Sequence, residues 1–371
     1  MVLPTAVAAA VGPREPLTLT TTDTGGPVTS VHLRLDQITE VLGVARRAAA
    51  GKLSPTHGIQ ALREVGAMPS PHTSTTRVLA YILVTTGIGL LIRPSPELLP
   101  SYLVLGLFVA LLREGAAKVP GLESILPLLA AAAVSAIAFG VLGPHGPEPL
   151  ETLIPPLVQF LPGGLLTMGI VDLASDEVVA GSSRFFAGML QLALLALGIV
   201  AGATLVGVTA TKASSGHSEL LGQWAPWLGV LVFGLGTAWE HAAPRRSLPW
   251  LLLVLYAAWG GQLLGYVLFG PLLSGFVGGL VVAPLATVIE RFPSAPPALV
   301  SFLPAFWLLV PGALGLIGVT QLVGNDSVAG ATTFVDALIS VIAIALGILV
   351  GLRALHIVQQ ALSSARRRVI R

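Results

Sequence analysis

Residues 155–202 read PPLVQFLPGGLLTMGIVDLASDEVVAGSSRFFAGMLQLALLALGIVAG, and residues 304–351 read PAFWLLVPGALGLIGVTQLVGNDSVAGATTFVDALISVIAIALGILVG. Set against each other without gaps, at an offset of 149 residues, 15 of the 48 positions are identical. Pro155 matches Pro304, and Pro162-Gly163 matches Pro311-Gly312. Gly169 matches Gly318, Val179-Ala180-Gly181 matches Val328-Ala329-Gly330, Phe185 matches Phe334, and Gly198 and Gly202 match Gly347 and Gly351. Upstream, Gly87 pairs with Gly236 and Pro100 with Pro249 in the same frame. Apolar runs match one another by chance; prolines and glycines in one ungapped register do not. The chain therefore reads as two copies of one unit.

What kind of unit follows from composition. Of 371 residues, 54% are hydrophobic and 10% charged, where a soluble domain carries roughly 25% charged residues. The mean hydropathy is +0.86. Most of the chain is thus expected to avoid water. Ten apolar spans are expected, over 77–92, 98–112, 124–143, 152–171, 183–208, 223–239, 247–262, 265–288, 299–323 and 332–357; crossing a bilayer takes roughly 20 apolar residues. With ten spans both termini share a side. Placing them in the cytoplasm leaves Arg93 and Lys212 outside and the other 18 of the 20 Lys and Arg inside, the bias that sets membrane topology. The basic pI near 9.2 comes from these flanking residues and implies no nucleic acid. The fold class expected is an all-α polytopic membrane protein.

Ten spans in two copies give five per copy, an odd number, so the second copy is inverted relative to the first. Inverted halves are the architecture of many secondary transporters. The expected organisation is an N-terminal cytoplasmic segment over 1–75, repeats over 76–222 and 223–360, and a basic tail over 361–371. Within the first segment, Pro16 to Leu35 reads as a strand pair. Asp36 reads as the N-cap of a helix stopped by Gly51. Ser54-Pro55 opens a second helix, with Ile59, Leu62 and Val65 turned inward. Residues 1–12 lack the basic start of a signal peptide.

Candidate site residues cluster at the two matched breaks. Pro162-Gly163 and Pro311-Gly312 each interrupt an apolar span, and proline removes a backbone hydrogen bond there. Paired breaks in corresponding positions point to a substrate site near the bilayer midplane. Gln159 and Thr167 flank the first break, and Thr320 and Gln321 follow the second. Half-helix ends offer amides to a carboxylate and carbonyls to an ammonium group; a simple packing kink is the plainer reading. Asp336 stands inside the tenth span, where an acid is costly and suggests a coupling proton. Asp172 and Arg184 bracket the connection between spans four and five, as a gate or as helix-end markers. Glu240 and Glu290 read as boundary residues. With no cysteine there is no disulfide or thiolate metal site, and the scattered histidines give no metal cluster. No Gly-rich phosphate loop is present. Neither a cofactor nor an enzymatic activity is expected.

The stretch from Pro162-Gly163 through Asp172-Leu173 to Gly181 and Arg184 resembles a signature of the threonine/serine exporter family of bacterial membrane proteins. Leu309-Val310-Pro311-Gly312 resembles that family's second proline–glycine signature, and residues 36–66 resemble its cytoplasmic segment before the first span. The resemblance implies a bacterial inner-membrane exporter of threonine and serine driven by the proton gradient, with the bilayer and protons as its other partners and a homo-oligomer left open. One departure is Ala187, where family members often carry an acid; its counterpart at the 149-residue offset is Asp336. A passive facilitator and a non-transporting scaffold are the alternatives to a proton-coupled exporter.

Overall fold

The structure, a computed structural model, describes residues 33–92, 96–119, 121–142, 149–207, 221–309, 312–323 and 327–369. Its helices are α1 (Leu35–Ala49), α2 (Pro55–Gly66), α3 (Ser74–Leu91), α4 (Leu99–Ala116), α5 (Leu126–Leu142), α6 (Pro149–Leu157), α7 (Gly163–Leu173), α8 (Val178–Leu205), α9 (Ala225–Glu240), α10 (Leu248–Phe269), α11 (Ser274–Ile289), α12 (Ala298–Leu309), α13 (Gly312–Val323) and α14 (Ser327–Val369). No strand occurs among the described residues. Most of the strand pair expected over 16–35 lies outside them, and Leu35 opens α1 rather than closing a strand.

Among the described residues, five helical stretches are long and apolar enough to cross a membrane: Ser74–Leu91, Pro96–Ala116, Val178–Leu205, Arg245–Phe269 and Val328–Leu362. Two bent pairs, Thr152–Phe160 with Gly163–Leu173 and Ala298–Leu309 with Leu314–Val323, bring the number to seven if each is one span. Helices α5 and α11 are apolar but shorter. The outer surface carries large apolar side chains, among them Leu205 and Val328, each about four-fifths exposed. A water-soluble surface does not tolerate so much exposed hydrocarbon, and a lipid-facing one requires it. The molecule is an all-helical, multi-pass membrane protein.

Small residues set how closely its helices pack. Helices α3 and α9 run antiparallel with touching backbones: a Cβ on Gly87 would stand 2.4 Å from Phe233 N, and one on Gly236 would stand 2.7 Å from Val84 N. Helix α5 packs on α8, and α11 packs on α14. Helix α7 packs on α8, as α13 does on α14. The close approaches recur with the sequence offset. A Cβ on Gly181 would meet Leu173 N and Gly169 O; one on Gly330 would meet Leu322 N and Gly318 O, each of these residues lying 149 further along. The core among the described residues forms two clusters, each drawing on both matched units. One cluster centres on α4, α5 and α8 and takes in Leu316 and Val341; the other centres on α9 to α12 and takes in Val84 and Ile88 of α3.

Several boundaries differ from the sequence reading. The expected break at 263–264 is absent, because Gly261 and Gly265 serve contact rather than interruption. A Cβ on Gly265 would stand 2.5 Å from Ser274 O, so glycine there lets α10 and α11 touch. Helix α10 instead ends at Gly270, whose φ of +81° suits a residue without a Cβ. The N-cap of α1 is Arg34, not Asp36; Asp36 sits in the first turn and pairs with the Arg34 guanidinium. Ser54 caps α2 as expected, accepting from His57 N. Ile59 is exposed, whereas Val65 is buried. The reason is that α2 packs chiefly on α1, so one turn of its apolar face suffices. Leu35 and Ile38 of α1 enter the core beside Val300 and Phe302, Leu35 N donates to His241 O at 2.9 Å, and Arg46 pairs with Glu290. The two N-terminal helices are thereby tied to the end of the helical body formed by the C-termini of α9 and α11.

Candidate functional site

The first break is built by proline and rescued by side chains. Pro155 and Pro156 lie inside α6. After α6 comes one tight turn, Val158–Phe160, then extended Leu161, and Pro162 caps α7, which starts at Gly163. The two halves meet at 56°. Prolines and a bend leave backbone carbonyls without helical donors, and at membrane depth each must find another partner. Tyr81 Oη donates to Pro156 O at 2.8 Å, and Gln191 Nε2 donates to Phe160 O at 2.6 Å. Neither donor was singled out in the sequence, since a tyrosine on α3 and a glutamine on α8 carry no mark of a partner on α6.

Gln159, in the tight turn, donates through Nε2 to Glu240 Oε2. The other oxygen, Glu240 Oε1, accepts from Arg113 Nη1 at 2.5 Å. The Arg113 guanidinium lies over the Tyr81 ring, 4.9 Å from its centroid. Glu240 closes α9, as a boundary residue does, but its side chain is 7% exposed and joins α4, α9 and the break. The ion pair crosses 127 residues of sequence, so no local pattern announces it.

Of the other sequence candidates, Asp172 and Arg184 form an ion pair across the α7–α8 turn, both largely buried. Thr167, one turn into α7, is fully buried and its Oγ1 has no protein partner. The same holds for Thr320 Oγ1 of α13, and Gln321 Oε1 is likewise unpartnered. Elsewhere Thr204, Thr287 and Thr332 bond the carbonyl one turn back, the usual resort of a helical threonine. Asp336 is half-buried on α14, with no ion pair among the described residues. Gly312 starts α13, which meets α12 at 42°; Pro311 lies outside the described residues. Among the described residues no group of acids and histidines is placed to hold a metal. An apolar groove of about 150 Å³ between α4 and α5, lined by Val104, Ile137 and Val141 among others, offers nothing to a polar solute.

Against this geometry, the family described as "Putative threonine/serine exporter" matches residues 1–206, more than half of the chain. The chain belongs to that exporter family. Its members are grouped as transporters, not enzymes. The chain is also 27% identical over 222 residues to Pheromone-regulated membrane protein 10 of Candida glabrata, an alignment covering 53% of this chain and 27% of that protein. The chain thus spans about a quarter of the length of that curated relative. No solved structure matches it. The family match covers the first break and the Asp172–Arg184 pair and ends at the close of α8.

Proposed function

We propose that this protein is a ten-span secondary transporter that exports threonine and serine across a bacterial inner membrane, coupled to protons, by alternating access of two inverted halves. Membership of the exporter family supplies the substrate class. The observation that carries the mechanism is the contact between α3 and α9, the first helices of the two matched units. Gly87 meets Phe233 and Gly236 meets Val84. Adding 149 to 87 and 84 gives 236 and 233, so the contact is reciprocal, as at a two-fold axis. The two helices are antiparallel, so that axis is perpendicular to them, which supports inversion. Two bent pairs, α6–α7 and α12–α13, then occupy corresponding places, the arrangement from which midplane sites are built.

In this reading the break residues Gln159, Pro162, Gly163, Thr167, Pro311 and Gly312 border the substrate path. Asp336 carries the coupled proton, with Asp172 as a second acid, and the Asp172–Arg184 pair closes a gate at the end of α7. Ten spans place both termini in the cytoplasm. The test is transport of labelled threonine by proteoliposomes holding the purified protein, with and without an imposed pH gradient. Gradient-driven accumulation competed by serine is expected. Equilibration without accumulation replaces the coupled exporter by a facilitator, and no flux of threonine or serine refutes the substrate assignment.

A further inference from the structure

Two arginine–glutamate pairs lie in successive layers at one end of α3, α4 and α9, and they differ in how fully the arginine is used. Arg77 is saturated. Its Nε and Nη2 hold both oxygens of Glu114 at 2.7 Å, Nη1 donates to His72 O, and Nη2 reaches Ser74 Oγ. That forked geometry is how an arginine serves structure. Arg113, the residue before Glu114, makes a single hydrogen bond, Nη1 to Glu240 Oε1. A guanidinium carries five N–H donors, and the other four of Arg113 meet no acceptor among the described residues. Its side chain remains 34% exposed while that of Glu240 is 7% exposed, so the cation is the reachable partner.

Two further polar atoms, on α9 and α3, have no protein partner. Thr237 lies one turn before Glu240 on α9, and Thr85 one turn after Tyr81 on α3. Both are buried, at 1% and 0% exposure, and neither Oγ1 is hydrogen-bonded. A cation with spare donors, a carboxylate and an amide on the first break thus meet at one place, with an unpaired hydroxyl one turn from Glu240 along α9 and another one turn from Tyr81 along α3. Each has a complement in a hydroxylated amino acid: an α-carboxylate, an α-ammonium and a side-chain hydroxyl.

We propose that Arg113, Glu240 and Gln159 form the head-group site for a zwitterionic, hydroxyl-bearing amino acid, a proposal that rests on the exporter reading and gives it an address. The α-carboxylate takes the spare edge of Arg113. The α-ammonium takes Glu240, displacing Arg113 Nη1 and Gln159 Nε2. In the unliganded protein the two ionic groups satisfy each other. Because Gln159 belongs to the break and Glu240 to α9, binding releases the α6–α7 hinge from α9 while Tyr81 still holds it to α3, and so links occupancy to motion.

Thermal stabilisation of the purified full-length protein in detergent tests this, with L-threonine, threonine amide (no carboxylate), N-acetylthreonine (no ammonium) and 3-hydroxybutyrate as probes. L-threonine is expected to stabilise the wild type and the two blocked forms are not; this arm needs no variant. Glu240→Gln, which keeps size and an acceptor for Gln159, is expected to lose at least about tenfold in threonine affinity. It is also expected to gain affinity for 3-hydroxybutyrate, because Arg113 is left without its counter-charge. The proposal falls if both blocked forms bind the wild type as well as threonine does, or if Glu240→Gln binds threonine unchanged. If that variant also exports threonine like the wild type, the site is wrong and the exporter reading survives. If the wild type neither binds nor exports threonine, both fall together.

Discussion

Replacing Gly202 by alanine tests the packing of the helical body. A Cβ at Gly202 would stand 2.1 Å from Ala132 O and 2.9 Å from Ser135 Cβ. An ordinary C···O approach is about 3.3–3.6 Å, so the overlap is about 1.2 Å. The obstacle is a backbone carbonyl of α5, which cannot rotate away. Helix α8 must withdraw by about 1 Å, a gap at which facing atoms lose a quarter to a half of their dispersion energy. The withdrawal also stretches the bond from Ser135 Oγ to Ile199 O, now 2.7 Å, worth about 1 kcal/mol. Overpacking adds about 1–3 kcal/mol, against a gain of about 0.5–1 kcal/mol from better helix propensity. The net loss is about 1–3.5 kcal/mol. With about 2.1 cal/mol/K of unfolding entropy per residue, that lowers Tm by roughly 1–4 °C for a chain of this length. Gly351→Ala, whose Cβ would stand 2.6 Å from Leu280 O, should act in the same direction. Gly115→Ala in α4 meets nothing within 4 Å and should be neutral or stabilising. If thermal melts in detergent place all three variants together, the close approach of α8 to α5 is wrong.

Leu35→Ala removes a side chain that is 2% exposed and should cost about 2–4 kcal/mol, detaching α1 and α2; proteolysis between residues 50 and 73 should quicken, and an unchanged cutting pattern would refute the docking. Thr167→Val removes a hydroxyl with no protein partner, so Tm should hold or rise while threonine export falls; unchanged export takes Thr167 out of the path. Asp336→Asn should abolish export driven by a pH gradient while the melting profile stays that of the wild type, and gradient-driven export by the variant would end the proton role of Asp336.

The helices were legible because proline, glycine and apolar run length are local signals. Ser54-Pro55 opens α2 and Pro162-Gly163 marks the first break, as read from the chain alone. Glycine was legible only in half of its uses: Gly51 stops α1, but Gly261 and Gly265 look identical on paper and instead let α11 approach. The ion-pair network was hidden for a different reason. Arg113 and Glu240 each sit near the end of a span, where charges are ordinary. Only the antiparallel contact of α3 with α9, with α4 alongside, brings them to the donor-poor turn at Gln159. Asp172 and Arg184 were found because they are close in sequence.

The two matched stretches share what packs and differ in what reacts. Gly169, Gly181, Gly198 and Gly202 recur as Gly318, Gly330, Gly347 and Gly351, all of them where a Cβ would strike a neighbouring helix. The polar positions do not recur. Gln159 corresponds to Leu308, Asp172 to Gln321, Arg184 to Thr333 and Ala187 to Asp336. Helix contacts of this kind constrain both copies alike, because each must pack its own bundle. Chemistry carries no such constraint: in the proposed mechanism one ion pair at the first break and one acid on α14 serve a single path between the halves. The proposed work is accordingly divided: a substrate head-group site at the first break, held by Arg113 and Glu240, and a proton site at Asp336 in the second half. A pair of variants separates the two. Glu240→Gln should change which ligand binds in the absence of any gradient, whereas Asp336→Asn should leave binding alone and remove only the response to pH.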